Sequence, residues 1–207
     1  SSEITGGKFK NGASTAAFSW VLARAVSRNE VVTGHGGSGD LSDLPRVDPQ
    51  FYDDNGDPLT IHFSLDEALQ AGEDASRAAM EASGKDYEYG VMTIRGHVME
   101  DGSQTFYNSA VGTSYNSHAI RWSVKGLRDS LVAINHSHPN DLGFSTADKR
   151  TYRQLRDAGF SEFRGVYMFD GRGNHWYGPS RKTLGPFRTR THSCGGARAT
   201  SWGCPEF

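Results

Sequence analysis

Helical and alternating spacings of apolar residues divide this chain into a helix, a run of strands, a second helix and a closing hairpin. Ser64 with Glu67 three places on forms a capping box. Leu65, Ala68, Leu69, Ala75, Ala79 and Ala82 then keep roughly helical spacing until Gly84 stops the run. The small residues of this helix predict close packing on a sheet. Strand patterns follow in EYGVMTIRGHVM (88–99), SQTFYNSAVGTS (103–114) and HAIRWSV (118–124), with Asp101-Gly102 as a hairpin turn. LVAINHSH (131–138) is an apolar run that ends in two histidines. Residues 145–158 read as the second helix, with Gly159 as its stop, and FRGVYMF (163–169), DGRG and NHWYG (174–178) as a hairpin. That order predicts an α+β sandwich, with a mostly antiparallel or mixed β-sheet flanked by helices.

The pattern also divides the chain lengthwise. ASTAAFSWVLARAV (13–26) is helix-prone and apolar on most faces; it needs a partner surface, and it is too short to span a bilayer, so stable membrane insertion is not expected. Val32 to Pro58 is rich in Gly, Asp, Ser and Pro, the chemistry of turns and linkers. The expected organisation is an N-terminal arm with an apolar helix (1–31), a linker (32–58), a compact domain (59–187) and a C-terminal tail (188–207).

Composition changes little in this picture. A chain of 207 residues, 36% hydrophobic and 22% charged, supports one buried domain plus an arm. Its net charge of −2 gives no support to general polyanion binding, and the Arg-rich stretch SRKTLGPFRTRTHS reads as solvated surface, so nucleic acid is not an expected partner. The opening SSEITGGKFKNGAS lacks the basic, apolar and small-residue layout of a secretory leader. The cysteines, Cys194 and Cys204, could close a disulfide loop, stay free thiols, or share a metal with His192.

The informative stretch for chemistry is INHSHPNDLGFSTADKR (134–150). Alternation along a strand puts His136 and His138 on one face, their Cα atoms roughly 6–7 Å apart. That separation suits two ring nitrogens converging on one ion. Pro139 ends the strand, and Asp148, one turn into the next helix, can supply an oxygen. Two histidines and one carboxylate leave zinc a fourth position open, as catalytic sites require. Ser145 to Asp148 is equally a plain capping box, with Asp148 reaching back to the Ser145 N–H. His97 and His118 read as core or surface residues and His175 as hairpin packing, while His35 and His62 carry no signal.

HSHP followed by SxxD resembles the zinc motif of the JAB/MPN (JAMM) metallopeptidases. More widely, FSLDEAL (63–69), EYG (88–90), INHSHP (134–139), FSTAD (144–148) and GVYMFDGRGNHWY (165–177) resemble a JAB-related domain found at the C-termini of bacterial polymorphic toxins. ITGGKFKNGASTAAF (4–18) is similar to segments that follow the shell or repeat region of Rhs and filamentous-haemagglutinin-type proteins. The resemblance covers roughly residues 4–26 and 60–180 and leaves out the tail after Phe187. It implies a cytidine-deaminase-like JAB/MPN sandwich in which His136, His138 and Asp148 hold Zn2+. Glu88 would be the proton shuttle and Ser145 the donor to an oxyanion, unless Ser145 only caps its helix. The implied function is a zinc-dependent amide-bond hydrolase, a protease or isopeptidase. It would act on a protein or peptide as the toxic effector of a secreted toxin. The toxin would be delivered into a target cell by a parent shell or delivery protein and restrained by a cognate immunity protein. A metal-dependent nuclease toxin and a catalytically inactive JAB-fold binding domain are the alternatives. Six residues separate His138 from Ser145, one fewer than the common family pattern, so Asp148 arrives one place early and Asp141 is the second candidate ligand.

Overall fold

A computed structural model of the chain describes residues 29–34, 43–139, 144–170 and 173–178, with backbone alone at 173–175 and 177. The helix expected over 13–26, His35, Asp141, the side chain of His175, and His192, Cys194 and Cys204 lie outside the described residues. Among the described residues no helix is long and apolar enough to cross a membrane.

The first helix, α1 (Leu65–Ser83), starts and stops where its sequence signals stand. Ser64 is the N-cap, its hydroxyl accepting the Glu67 N–H at 3.1 Å, and Gly84 closes the other end in the left-handed region at φ 59°. The Glu67 carboxylate reaches one residue further than a reciprocal box, to the Phe63 N–H at 2.9 Å. Leu65 and Leu69 pack on Val132, Ala133, Tyr167, Phe169 and Trp176.

Those partners belong to a six-stranded sheet. Its strands are β3 (Ile61–His62), β4 (Gly90–Val98), β5 (Gln104–Asn108), β7 (Leu131–Ser137), β8 (Gly165–Asp170) and β9 (Gly173–Tyr177), in the order β3-β5-β4-β7-β8-β9. All neighbours pair antiparallel except β7 and β8, which run parallel and are joined through α2 (Thr146–Asp157). The sheet is therefore mixed and the class α+β, as the element pattern predicts.

HAIRWSV forms a strand, β6 (Ile120–Ser123), but outside this sheet. It pairs with β1 (Glu30–Thr33) antiparallel and with β2 (Arg46–Val47) parallel in a second, three-stranded sheet. Part of the stretch expected as linker is thus ordered structure, with Val32, Thr33, Arg46 and Val47 all in ladders. The cause is burial: Val31 and Trp122 are almost fully enclosed and belong to the larger core with Met92, Ile134, Leu155, Phe163 and Val166. Trp122 further donates its indole N–H to the Thr33 hydroxyl at 3.0 Å.

Neighbouring residues of a strand point to opposite faces, and Val166 enters this core whereas Tyr167 meets α1. The layers are therefore α1, the large sheet, and then α2 with the small sheet. Leu131 and Ile134 share the second face although three residues apart, because the β4–β7 register shifts between Thr93 and Ile94. From Ile134 onward the alternation is regular, which assigns His136 and His138 to the face beneath α2.

Candidate metal centre

His136 and His138 leave β7 and its end on the same side, with ring centroids 4.9 Å apart and their Nε2 atoms 3.0 Å apart. Asp148, in the first turn of α2, faces both: Oδ1 lies 3.0 Å from His136 Nε2 and Oδ2 3.4 Å from His138 Nε2. Glu88, two residues before β4 begins, places Oε1 3.9 Å from His138 Nε2. All four side chains are buried, Glu88, His136 and Asp148 completely and His138 to within 3%. A solvent-facing edge carboxylate is therefore not the role of Glu88.

Local structure explains each placement. Gly90 pairs with His136 across β4 and β7, and a side chain there would press on the His136 Cβ at 3.0 Å and on the adjoining backbone. Glycine lets the two strands close up at this point. Ser137, on the opposite face between the histidines, accepts the Tyr89 N–H on its hydroxyl at 2.9 Å and donates its own N–H to the Tyr89 carbonyl at 2.8 Å. The Glu88 N–H in turn goes to the Asn116 carbonyl at 2.8 Å, so the backbone that presents Glu88 is fixed on both sides. His138 is held by its N–H donating to the Phe169 carbonyl at 2.8 Å.

The cap and the cluster are not rivals. Asp148 Oδ2 accepts the Ser145 N–H at 2.9 Å while the Ser145 hydroxyl accepts the Asp148 N–H at 3.1 Å, a complete capping box. Oδ1 accepts a second backbone donor, the Gly34 N–H at 2.7 Å. Ser145 also donates its hydroxyl proton to the Gly34 carbonyl. Each carboxylate oxygen therefore has one backbone N–H behind it and one imidazole in front. Burial alone would raise the Asp148 pKa; the charge and hydrogen bonding of His136 and His138 outweigh it and hold the carboxyl well below the usual carboxylate range.

Glu88, His136 and His138 form a buried group whose ligand atoms lie within 4.8 Å of one another, an arrangement that could hold a metal ion. The donor set fits one. Metal bonds of about 2.0–2.1 Å in a tetrahedral array put ligand atoms roughly 3.3 Å apart, close to the 3.0 and 3.4 Å separations among His136, His138 and Asp148. Two facing ring nitrogens and a carboxylate converge on one point, and a single cation there would answer a lone pair from each. One feature departs from a fully supported site: the buried His136 Nδ1 has no hydrogen-bond partner among the described residues, where a ligating histidine usually donates to a carbonyl or carboxylate.

The structure brings together every residue singled out for the site, namely Glu88, His136, His138, Ser145 and Asp148. Sequence reasoning missed Gly34 and Ser137. Gly34 sits in a Gly-rich string that reads as linker, and Ser137 is hidden between two residues of stronger chemistry. His62 is buried, its Nε2 3.3 Å from the Asn108 amide, and joins the packing of α1 rather than the metal group; His97 and His118 are exposed.

Replacing Ser137 with Ala strips the Tyr89 N–H of its partner in a buried setting. The expected loss is about 1–3 kcal/mol of stability, read as a lower urea midpoint with unchanged slope. An unshifted midpoint would mean that the bond does not hold this corner.

Comparison with known proteins returns no match among family models, curated proteins or solved structures.

Proposed function

We propose that this chain is a zinc-dependent amide-bond hydrolase, a protease or isopeptidase with a JAB/MPN-type site. The observation that carries the reading is the approach of His136 Nε2, His138 Nε2 and the Asp148 carboxylate to within 3.0–3.4 Å of one another, with Glu88 at 3.9 Å from His138. In that assignment His136, His138 and Asp148 hold the ion, and Glu88, the more distant carboxylate, is left for proton transfer. The mixed sheet with helices on both faces is compatible with the JAB/MPN sandwich.

A nitrogen-and-carboxylate set with a position to spare favours zinc in a hydrolytic role over a closed structural site. The ion, when bound, supplies Lewis acidity that polarises a carbonyl and lets water act as nucleophile near neutral pH. Glu88 accepts the proton of the attacking water and passes it to the leaving amine. Its complete burial strengthens that interaction, because no bulk water competes for the carboxylate. Ser145 caps α2, and its hydroxyl can donate to a developing oxyanion once it lets go of the Gly34 carbonyl.

The wider role, the effector domain of a secreted polymorphic toxin with a parent delivery protein and a cognate immunity protein, is supported by the sequence resemblance. Convergence of all the motif positions on one buried point supports an active hydrolase over an inactive binding domain.

The test is elemental analysis of the purified chain, followed by incubation with peptide, isopeptide and nucleic-acid substrates. About one zinc per chain, with amide cleavage that stops on chelation and returns with zinc, is the expected result. A folded chain without zinc, or nucleic-acid cleavage with intact peptides, would defeat the proposal.

A further inference from the structure

We infer that Gly34 is a positioning residue of the metal centre and that the segment ending β1 forms one wall of the site. The inference rests on the metal reading above and adds a residue that no motif contains. Three contacts carry it. The Gly34 N–H donates to Asp148 Oδ1 at 2.7 Å. Its carbonyl accepts the Ser145 hydroxyl. Its Cα faces Glu88 so closely that a Cβ would overlap the Glu88 carboxylate, coming to 2.6 Å from Cδ and 2.7 Å from the Ala119 Cα. One residue therefore touches the proposed ligand, the proposed proton carrier and the helix cap at once.

Only glycine answers these demands. At φ +108° the backbone lies where side-chain-bearing residues are rarely found, and the space beyond Cα is already filled by Glu88. The placement is built from behind as well. Thr33 is anchored to Trp122 at 3.0 Å, and the Val32 carbonyl accepts the Thr151 hydroxyl from α2 at 2.5 Å. β1 thus holds the helix that carries Asp148 through Val32 and the neighbouring strand through Thr33, and delivers Gly34 to the first turn of α2. The amide orients Oδ1 toward His136 and keeps the carboxylate from rotating away, which is the work of a supporting hydrogen bond in a metal site.

The experiment has two arms. In the first, Gly34→Ala, Glu88→Ala and the double variant are titrated with Zn2+ and with Co2+, whose visible bands report ligand geometry. Gly34→Ala is expected to weaken binding about 10–100-fold and to change the cobalt spectrum. The double variant should bind close to Glu88→Ala alone, since the clash disappears with the carboxylate. In the second arm, amide exchange of Gly34 is followed in the metal-free wild-type chain and in Asp148→Ala. Slow exchange that becomes fast in the variant is expected, and this arm decides if Gly34→Ala fails to fold. Wild-type affinity and spectrum in Gly34→Ala, or a Gly34 amide that exchanges like a free peptide in the wild-type chain, would overturn the inference. A chain that binds neither metal yet keeps a slow Gly34 amide sinks the metal reading while sustaining the hold of Gly34 on Asp148.

Discussion

Asp148→Asn is expected to abolish stabilisation by zinc and to weaken the metal-free fold by about 1–3 kcal/mol. The two effects share one cause. Both carboxylate oxygens accept backbone N–H groups, from Gly34 at 2.7 Å and Ser145 at 2.9 Å. An amide has one acceptor oxygen; its NH2 must then face the other donor, so one buried N–H is left unsatisfied whichever way it turns. The same change removes the anion that faces His136 and His138. In the wild-type chain, zinc at a thousand times its Kd should add about 4 kcal/mol to unfolding, measured as a displaced urea midpoint. Asp148→Asn should show no displacement at that concentration. The pH dependence follows from the depressed Asp148 carboxyl. Its contribution is full above the unfolded pKa of about 3.9 and is lost as pH falls toward the folded value. The stability gap between wild type and variant should therefore narrow below about pH 4. A variant that zinc protects as well as wild type would show that Asp148 is a helix cap and nothing more.

What could be read in the sequence was what short-range spacing determines. Ser64 and Gly84 bracket α1 because caps are local, and His136 and His138 share a face because strand alternation has a period of two. The SxxD string looked like a choice between a cap and a ligand. The structure removes the choice, since Oδ2 serves the cap, Oδ1 takes a distant amide, and both oxygens still face imidazoles. What stayed hidden depends on contacts between distant parts of the chain. Gly34 lies 114 residues from Asp148 in sequence, and its setting in TGHGGSG reads only as linker. The small sheet has the order β1-β6-β2, with a two-residue parallel pairing. No hairpin turn or alternation of that length announces it; the burial of Trp122 and Val31 makes it form. Ser137 was invisible for another reason: a serine between strand histidines looks solvent-facing, yet the α1 side of the sheet is covered too and its hydroxyl is enclosed.

Glu88→Gln is expected to keep the metal and lose the reaction, with kcat lower by about 10²–10⁴-fold and KM little changed. The argument turns on which of two buried carboxylates ligates. Asp148 meets both ring nitrogens at 3.0 and 3.4 Å, whereas Glu88 stands 3.9 Å from His138, wider than the roughly 3.3 Å between ligand atoms of a tetrahedral site. Glutamine preserves the size of the side chain and the backbone bond from the Glu88 N–H to Asn116, so the corner that carries residue 88 should stay in place. It cannot accept a proton near neutral pH, and with the carboxylate gone nothing else at that position can carry the proton from water to the leaving amine. The decisive measurement is zinc content beside turnover on the same preparation. Full zinc with turnover reduced by at least a hundredfold assigns Glu88 to proton transfer. Loss of zinc together with activity would exchange the roles, placing Glu88 in the coordination shell with His136 and His138 and leaving Asp148 to the helix. Full zinc with undiminished turnover would remove Glu88 from the chemistry altogether, and with it the hydrolytic reading of this site.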